Sequence, residues 1–146
     1  MTMAGKKFKF RSDGNRRVGV KEVINRSMSI RGPRISVSVC LDRDFNLSKV
    51  HHIEDNILVS AEEKVLKKGK GSKPIYYPID SLSYIATVIF QFNNKNKVVE
   101  KSLILYMPNT ICSYDEIYCN RVTSTISKED KEIIMNNISN FALSRV

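Results

Sequence analysis

Two runs rich in β-branched and aromatic residues, Tyr84 to Phe92 and Val98 to Tyr106, flank the polar turn Asn93-Asn-Lys-Asn-Lys97. Two such runs joined by a short polar link form the pattern of an antiparallel hairpin. Because strand side chains alternate, Tyr84, Ala86, Val88, Phe90 and Phe92 share one face, and Ile85, Thr87, Ile89 and Gln91 share the other. Both faces are largely apolar near the middle. A strand covered on both sides is central in its sheet, with a second layer packed on it. The hairpin therefore constrains the architecture and carries no chemistry of its own.

What the chain binds has to be read from its charge. Residues 1–34 hold ten basic residues against the acids Asp13 and Glu22, a net of +8 out of +9 for all 146 residues. The sequence thus divides into a basic N-terminal arm, 1–34, mobile at its start, and a nearly neutral domain, 35–146. At 42% apolar residues the chain has the composition of a folded protein with a self-sufficient core. In the arm, Lys6, Lys7, Lys9, Arg11, Arg16 and Arg17 interleave with Phe8 and Phe10. Cations neutralise phosphates and release counterions while aromatic rings stack on bases, so this mixture suits nucleic acid. The same charge also suits an anionic membrane surface, or a solubilising tail.

The three cysteines, Cys40, Cys112 and Cys119, are an odd number without a close pair, as expected of reduced thiols in a cytosolic or nuclear setting. Adding His51 and His52 gives enough ligands for zinc, but adjacent histidines and this cysteine spacing match no usual zinc arrangement. No metal or cofactor is expected. The N-terminus lacks an apolar signal core, and no apolar run approaches the roughly 18 residues of a spanning helix, so the expectation is a protein that is not secreted and at most peripheral to membranes.

Along the chain, residues 17–34 allow a short helix at Lys21 to Asn25 and favour a strand or extended segment near Ser27 to Ile30, closed by Gly32-Pro33. Ile35 to Leu41 alternates cleanly: Ile35, Val37, Val39 and Leu41 fall on one face, with Ser36, Ser38 and Cys40 on the other, as in a half-buried strand. Val37-Ser-Val-Cys-Leu41 followed at once by Asp42 resembles the strand and aspartate of the thirty-kilodalton superfamily of plant-virus movement proteins. That resemblance implies cooperative binding of single-stranded nucleic acid, action at plasmodesmata and a jelly-roll-like fold. It makes Asp42 a structural or self-association residue rather than a catalyst.

His52 to Ser60 is expected to be a strand, and Ser60 to Lys68 carries helix signals: Ser60 as cap, Glu62 and Glu63 in the first turn, Lys67 and Lys68 in the last, then Gly69. Lys64, Lys67, Lys68, Lys70 and Lys73, around Gly69 and Gly71, form a second basic patch without the spacing of a phosphate loop, with Lys67, Lys68 and Lys70 as auxiliary contacts to nucleic acid. His51 and His52, although near Glu54 and Asp55, lack an activated nucleophile and are expected at the surface. Tyr76 and Tyr77 are core or rim aromatics, or a platform for bases. Pro108-Asn109 is expected to end the second hairpin strand, with a last strand at Glu116 to Val122. Ser127 caps a final helix, Lys128 to about Leu143, whose stripe of Ile134, Ile138 and Phe141 packs on the sheet or docks on a neighbouring subunit.

The fold expected is β-rich α+β: an antiparallel sheet, or a sandwich or jelly-roll-like domain, with a C-terminal helix and a basic arm. The leading functional expectation is a non-enzymatic, viral-type protein of the movement, coat or accessory kind. It would hold single-stranded nucleic acid, RNA foremost, through the arm and form homo-oligomers in the host cytoplasm, nucleus or virion. A matrix-like protein on anionic membrane is the alternative, and a small enzyme with an unrecognised site the third.

Overall fold

The computed structural model describes residues 5–62, 66–67, 75–76, 82–112 and 116–143. Its strands are β1 (Gly5–Ser12), β2 (Met28–Arg31), β3 (Arg34–Leu41), β4 (His51–Glu54), β5 (Ile57–Ser60), β6 (Leu66–Lys67), β7 (Ile75–Tyr76), β8 (Tyr84–Phe92), β9 (Val98–Cys112) and β10 (Glu116–Arg121). Two helices complete the fold, α1 (Val20–Ser27) and α2 (Lys128–Ala142). Eight strands form one sheet in the order β2-β3-β8-β9-β10-β1-β5-β4, while β6 and β7 pair separately. The eight-stranded sheet is antiparallel except where β1 lies parallel to β5. The domain is β-rich α+β, as the sequence implies.

The hairpin forms as expected, β8 and β9 in register from Ile85 opposite Tyr106 to Gln91 opposite Glu100. Asn93 builds its turn, with Oδ1 accepting from the amides of Lys95 at 2.9 Å and Lys97 at 3.0 Å. The second strand does not stop at Pro108. It runs on to Cys112, and Pro108 lies opposite Cys119 where the β9–β10 register shifts. A proline has no amide hydrogen to give a ladder, and such an irregularity is where a sheet tolerates one.

Three further expectations change. Gly5–Ser12, read as part of a mobile arm, is a strand inside the sheet, held by β10 on one side and β5 on the other. Its alternation of Lys and Phe is a strand pattern: Phe8 and Phe10 are buried, while Lys7, Lys9 and Arg11 point to the opposite face. His52 to Ser60 is two strands, because Asp55 and Asn56 adopt left-handed φ angles of 50° and 64° and turn the chain into a tight hairpin. The helix expected over Ser60 to Lys68 is absent at the described positions: Ser60 ends β5, Ala61 and Glu62 bend away, and Leu66–Lys67 form β6. Tertiary pairing outweighs the cap and dipole signals there, which are weak priors for a short segment.

Two cores hold the sheet, one on each face. On the outer face, Ile35, Val37, Val39 and Leu41 of β3 and Ala86, Val88 and Phe90 of β8 pack against Ile134, Ile138 and Ala142 of α2 and Val23 and Ile24 of α1. Ser127 caps α2, its hydroxyl accepting from the Asp130 amide at 3.1 Å, and Asn137 donates to the Phe45 carbonyl at 2.8 Å. Ile134 and Ile138 are fully buried, so the stripe of α2 belongs to its own domain, whereas Phe141 is 44% exposed. Inside, Phe8 and Phe10 of β1 meet Ile53 of β4, Leu58 of β5, Cys40 of β3 and Ile85 of β8. Strands β3 and β4 stand far apart in the sheet order yet share this core, so the sheet curls into a half-barrel. Helix α1 packs against both of them and bridges the open side.

Asp42 holds the turn that follows β3: its Oδ1 accepts from the amides of Asp44 at 2.9 Å and Asn46 at 3.0 Å. Cys40 and Cys119 are thiols buried in the inner core. Burial pushes the Cys40 thiol well above its ordinary pKa, and the neighbouring Cys119 adds to the effect, so it stays protonated and inert.

Candidate functional site

Where the half-barrel stays open, a cleft of about 500 Å³ lies between the β2–β3 hairpin and the β4–β5 turn. Register places its side chains. Ser29 lies opposite Ser36 and Arg31 opposite Arg34 across β2 and β3, and in β8 Ile89 faces Ser36 and Thr87 faces Ser38. Paired residues share a face, so this group points together into the concave side. Ser38 and Thr87 join hydroxyl to hydroxyl at 2.9 Å. Asp55 and Asn56 form the far wall, with Ile53 below.

Arg31 and Arg34 sit at the tip of the hairpin, where Gly32 takes a φ of 59° at the first position of a two-residue loop. Both are exposed, and neither is in an ion pair among the described residues. Arg26, also at the cleft, is committed elsewhere, to Glu22 and Glu54, each at 3.3 Å. Two unpaired guanidiniums therefore dominate the rim, opposed at the far wall by the Asp55 carboxylate.

Beside the cleft, one carboxylate organises a compact ion cluster. Glu54 Oε2 accepts from His52 Nε2 at 3.2 Å, Arg11 Nη2 at 3.3 Å and Arg26 Nη1 at 3.3 Å. The His52 hydrogen bond, helped by the charges of Arg26 and Arg11 and opposed by partial burial, holds the Glu54 carboxyl below its ordinary pKa. His51 and His52, expected at the surface, are only 2% and 4% exposed. They lie in β4, the strand at the end of the sheet against which α1 packs, and His51 lies beside the Ser48 hydroxyl, which accepts from the His51 amide at 3.0 Å.

The cations nominated from sequence do not form one patch. Lys6 is on the concave side, its Nζ 3.4 Å from Asn56 Oδ1 and 4.8 Å over the Phe8 ring. Lys7, Lys9 and Arg11 are on the other face, with Lys7 near Glu116 at 3.9 Å and Arg11 bonded to Asp13 and Glu54. Arg16 and Arg17 are exposed in the link between β1 and α1. Lys67 lies in β6, while Lys68 and Lys70, like Tyr77, fall outside the described residues. Sequence reasoning missed the pair Arg31 and Arg34. The signal was the spacing Arg-Gly-Pro-Arg, since a two-residue loop puts its flanking residues opposite each other.

Among the described residues no cluster of three or more His, Cys, Asp or Glu could hold a metal ion, and no helix is long and apolar enough to cross a membrane. No protein-family model, curated protein or solved structure matches the chain.

Proposed function

We propose that the chain is a non-enzymatic, nucleic-acid-associated protein that holds the phosphate backbone of a single strand, RNA foremost, on its folded basic surface. The observation that supports this reading is the unpaired couple of Arg31 and Arg34 at the rim of a hydroxyl-lined cleft. Guanidinium groups offer paired donors that match phosphate oxygens, and serine hydroxyls add neutral donors beside them. Lys6 enters from the same side through Asn56, while Lys9, on the other face, and Arg16 and Arg17, in the link between β1 and α1, add to the overall positive field. Arg11 and Arg26 contribute less, because Glu54 already neutralises them.

The test is binding of a labelled single-stranded RNA at several salt concentrations. If about four phosphates are neutralised, log K falls against log salt with a slope of about −3. The double variant R31A/R34A flattens that slope by roughly 1 to 1.5 and weakens binding for every sequence alike. A salt-independent affinity, or no binding, rejects the reading.

A further inference from the structure

We infer that the cleft seats a single nucleotide unit carrying one phosphate group, with the phosphate on Arg31 and Arg34 and the base against the apolar wall of Ile53 and Ile89. The inference rests on the nucleic-acid reading only for the source of that nucleotide, as one residue of a bound strand.

The lining is divided in a way that a plain anion site would not need. At one end stand the two guanidiniums of the hairpin tip, without carboxylate partners among the described residues. Along the floor, Ile89 lies opposite Ser36 and beside the Ser38–Thr87 hydroxyl pair, while Ile53 closes the other side. At the far wall stand an amide and a carboxylate, Asn56 and Asp55, on a hairpin turn whose backbone is fixed at positive φ. A bare phosphate satisfies the first region and leaves the rest unused. A nucleoside without phosphate leaves both guanidiniums unanswered. A nucleoside monophosphate uses all three regions: oxygens for the arginines, sugar hydroxyls for the serines, and base edge donors or ring nitrogens for Asp55 and Asn56. The cleft's volume, about 500 Å³, lies within the range of about 300 to 1,000 Å³ usual for sites that bury a small ligand.

Asp55 sets the polarity of that arrangement. Its negative charge repels a phosphate at the far wall, so the phosphate is confined to the hairpin end. By the same argument a second or third phosphate in the chain gains little: beyond Arg31 and Arg34, Arg26 is already neutralised by Glu22 and Glu54, and Lys6 stands at the far wall on Asn56, where Asp55 next to it carries the opposite charge.

The experiment titrates the full chain, by isotope-edited NMR or calorimetry, with a 5′-nucleoside monophosphate, the matching nucleoside and inorganic phosphate, alongside single-stranded RNA. The expected result is a monophosphate affinity at least about tenfold above either fragment, falling about tenfold or more in R31A/R34A. The variant D55N is expected to narrow the preference for monophosphate over triphosphate, and it keeps the shape of the turn residue. Two results overturn the inference: inorganic phosphate binding as tightly as the nucleotide, or R31A/R34A binding the nucleotide unchanged while remaining folded by circular dichroism. If RNA binds with its salt dependence while the mononucleotide does not bind, the cleft assignment fails and the function stands. If the mononucleotide binds and RNA does not, the function fails and the cleft assignment stands.

Discussion

The two faces of strands β3 and β8 are made from alternate residues of the same segments, yet they have opposite chemistry. Outward, Ile35, Val37, Val39, Leu41, Ala86, Val88 and Phe90 are all within 5% of complete burial beneath α2 and α1. Inward, Ser36, Ser38, Thr87 and Ile89 remain half-exposed around the cleft. The inner face becomes dry only farther along, where Cys40 and Ile85 meet the phenylalanines of β1. The difference shows how a thin domain can hold a polar site. One dry face suffices to fix the strands, so the other is free to carry groups that would be costly to bury without a ligand.

The largest expected effect tests the inner face. Removing residues 5–12 takes out Phe8 and Phe10 and leaves β10 and β5 with unpaired edges, so the shortened chain loses its cooperative thermal transition altogether. An N-terminal arm that only carried charge would leave the transition in place. Next, Phe90→Ala on the outer face and Phe8→Ala on the inner one should each cost about 3 to 5 kcal/mol in denaturant unfolding, since both rings are fully buried. A much smaller loss at Phe8 would mean that the inner core is loosely held, and the comparison of faces would fail.

Glu54→Gln comes third, at about 1 to 2 kcal/mol, because one carboxylate serves two arginines and a buried histidine. The sign of its pH dependence follows from the lowered pKa. The contribution is complete above the ordinary value of 4.5 and is lost as pH falls below it, through the folded-state value. Urea melts from pH 7 down to pH 3 should show the wild type converging on the glutamine variant. The smallest expected effect is Ser36→Ala, within about 0.5 kcal/mol in stability because the side chain is not enclosed. A measurable loss of RNA or nucleotide affinity in that variant would separate the binding face from the supporting one.

How much of this was legible in the sequence depended on how far each element reaches for its partner. The β8–β9 hairpin and α2 announce themselves because alternation, turn residues and the Ser127 cap are local, and Ile35 to Leu41 reads correctly for the same reason. Gly5–Ser12 was misread as an arm because its lysines were weighed as charge, while the Phe8 and Phe10 alternation that marks a strand requires β10 and β5 to give it meaning. His51 and His52 look exposed in sequence and are buried because β4 is covered on both faces, α1 packing against it. For the candidate site, charge composition drew attention to residues 1–34, which include Arg31 and Arg34, but singled out other cations of that segment. Lys7 and Arg11 answer to Glu116, Asp13 and Glu54, and of those pairings only the local one, Arg11 with Asp13, is visible without the sheet register.

The placement of β1 between β10 and β5 also sets an order of events during synthesis. Its antiparallel partner is the last strand of the sheet, with nearly all the described chain between them, and loops of that length close late. β1 therefore completes its pairing only after β10 has been made, although its parallel partner β5 is available earlier. During that interval the inner core around Phe8 and Phe10 lacks Ile117 and Cys119, the residues that β10 contributes to it.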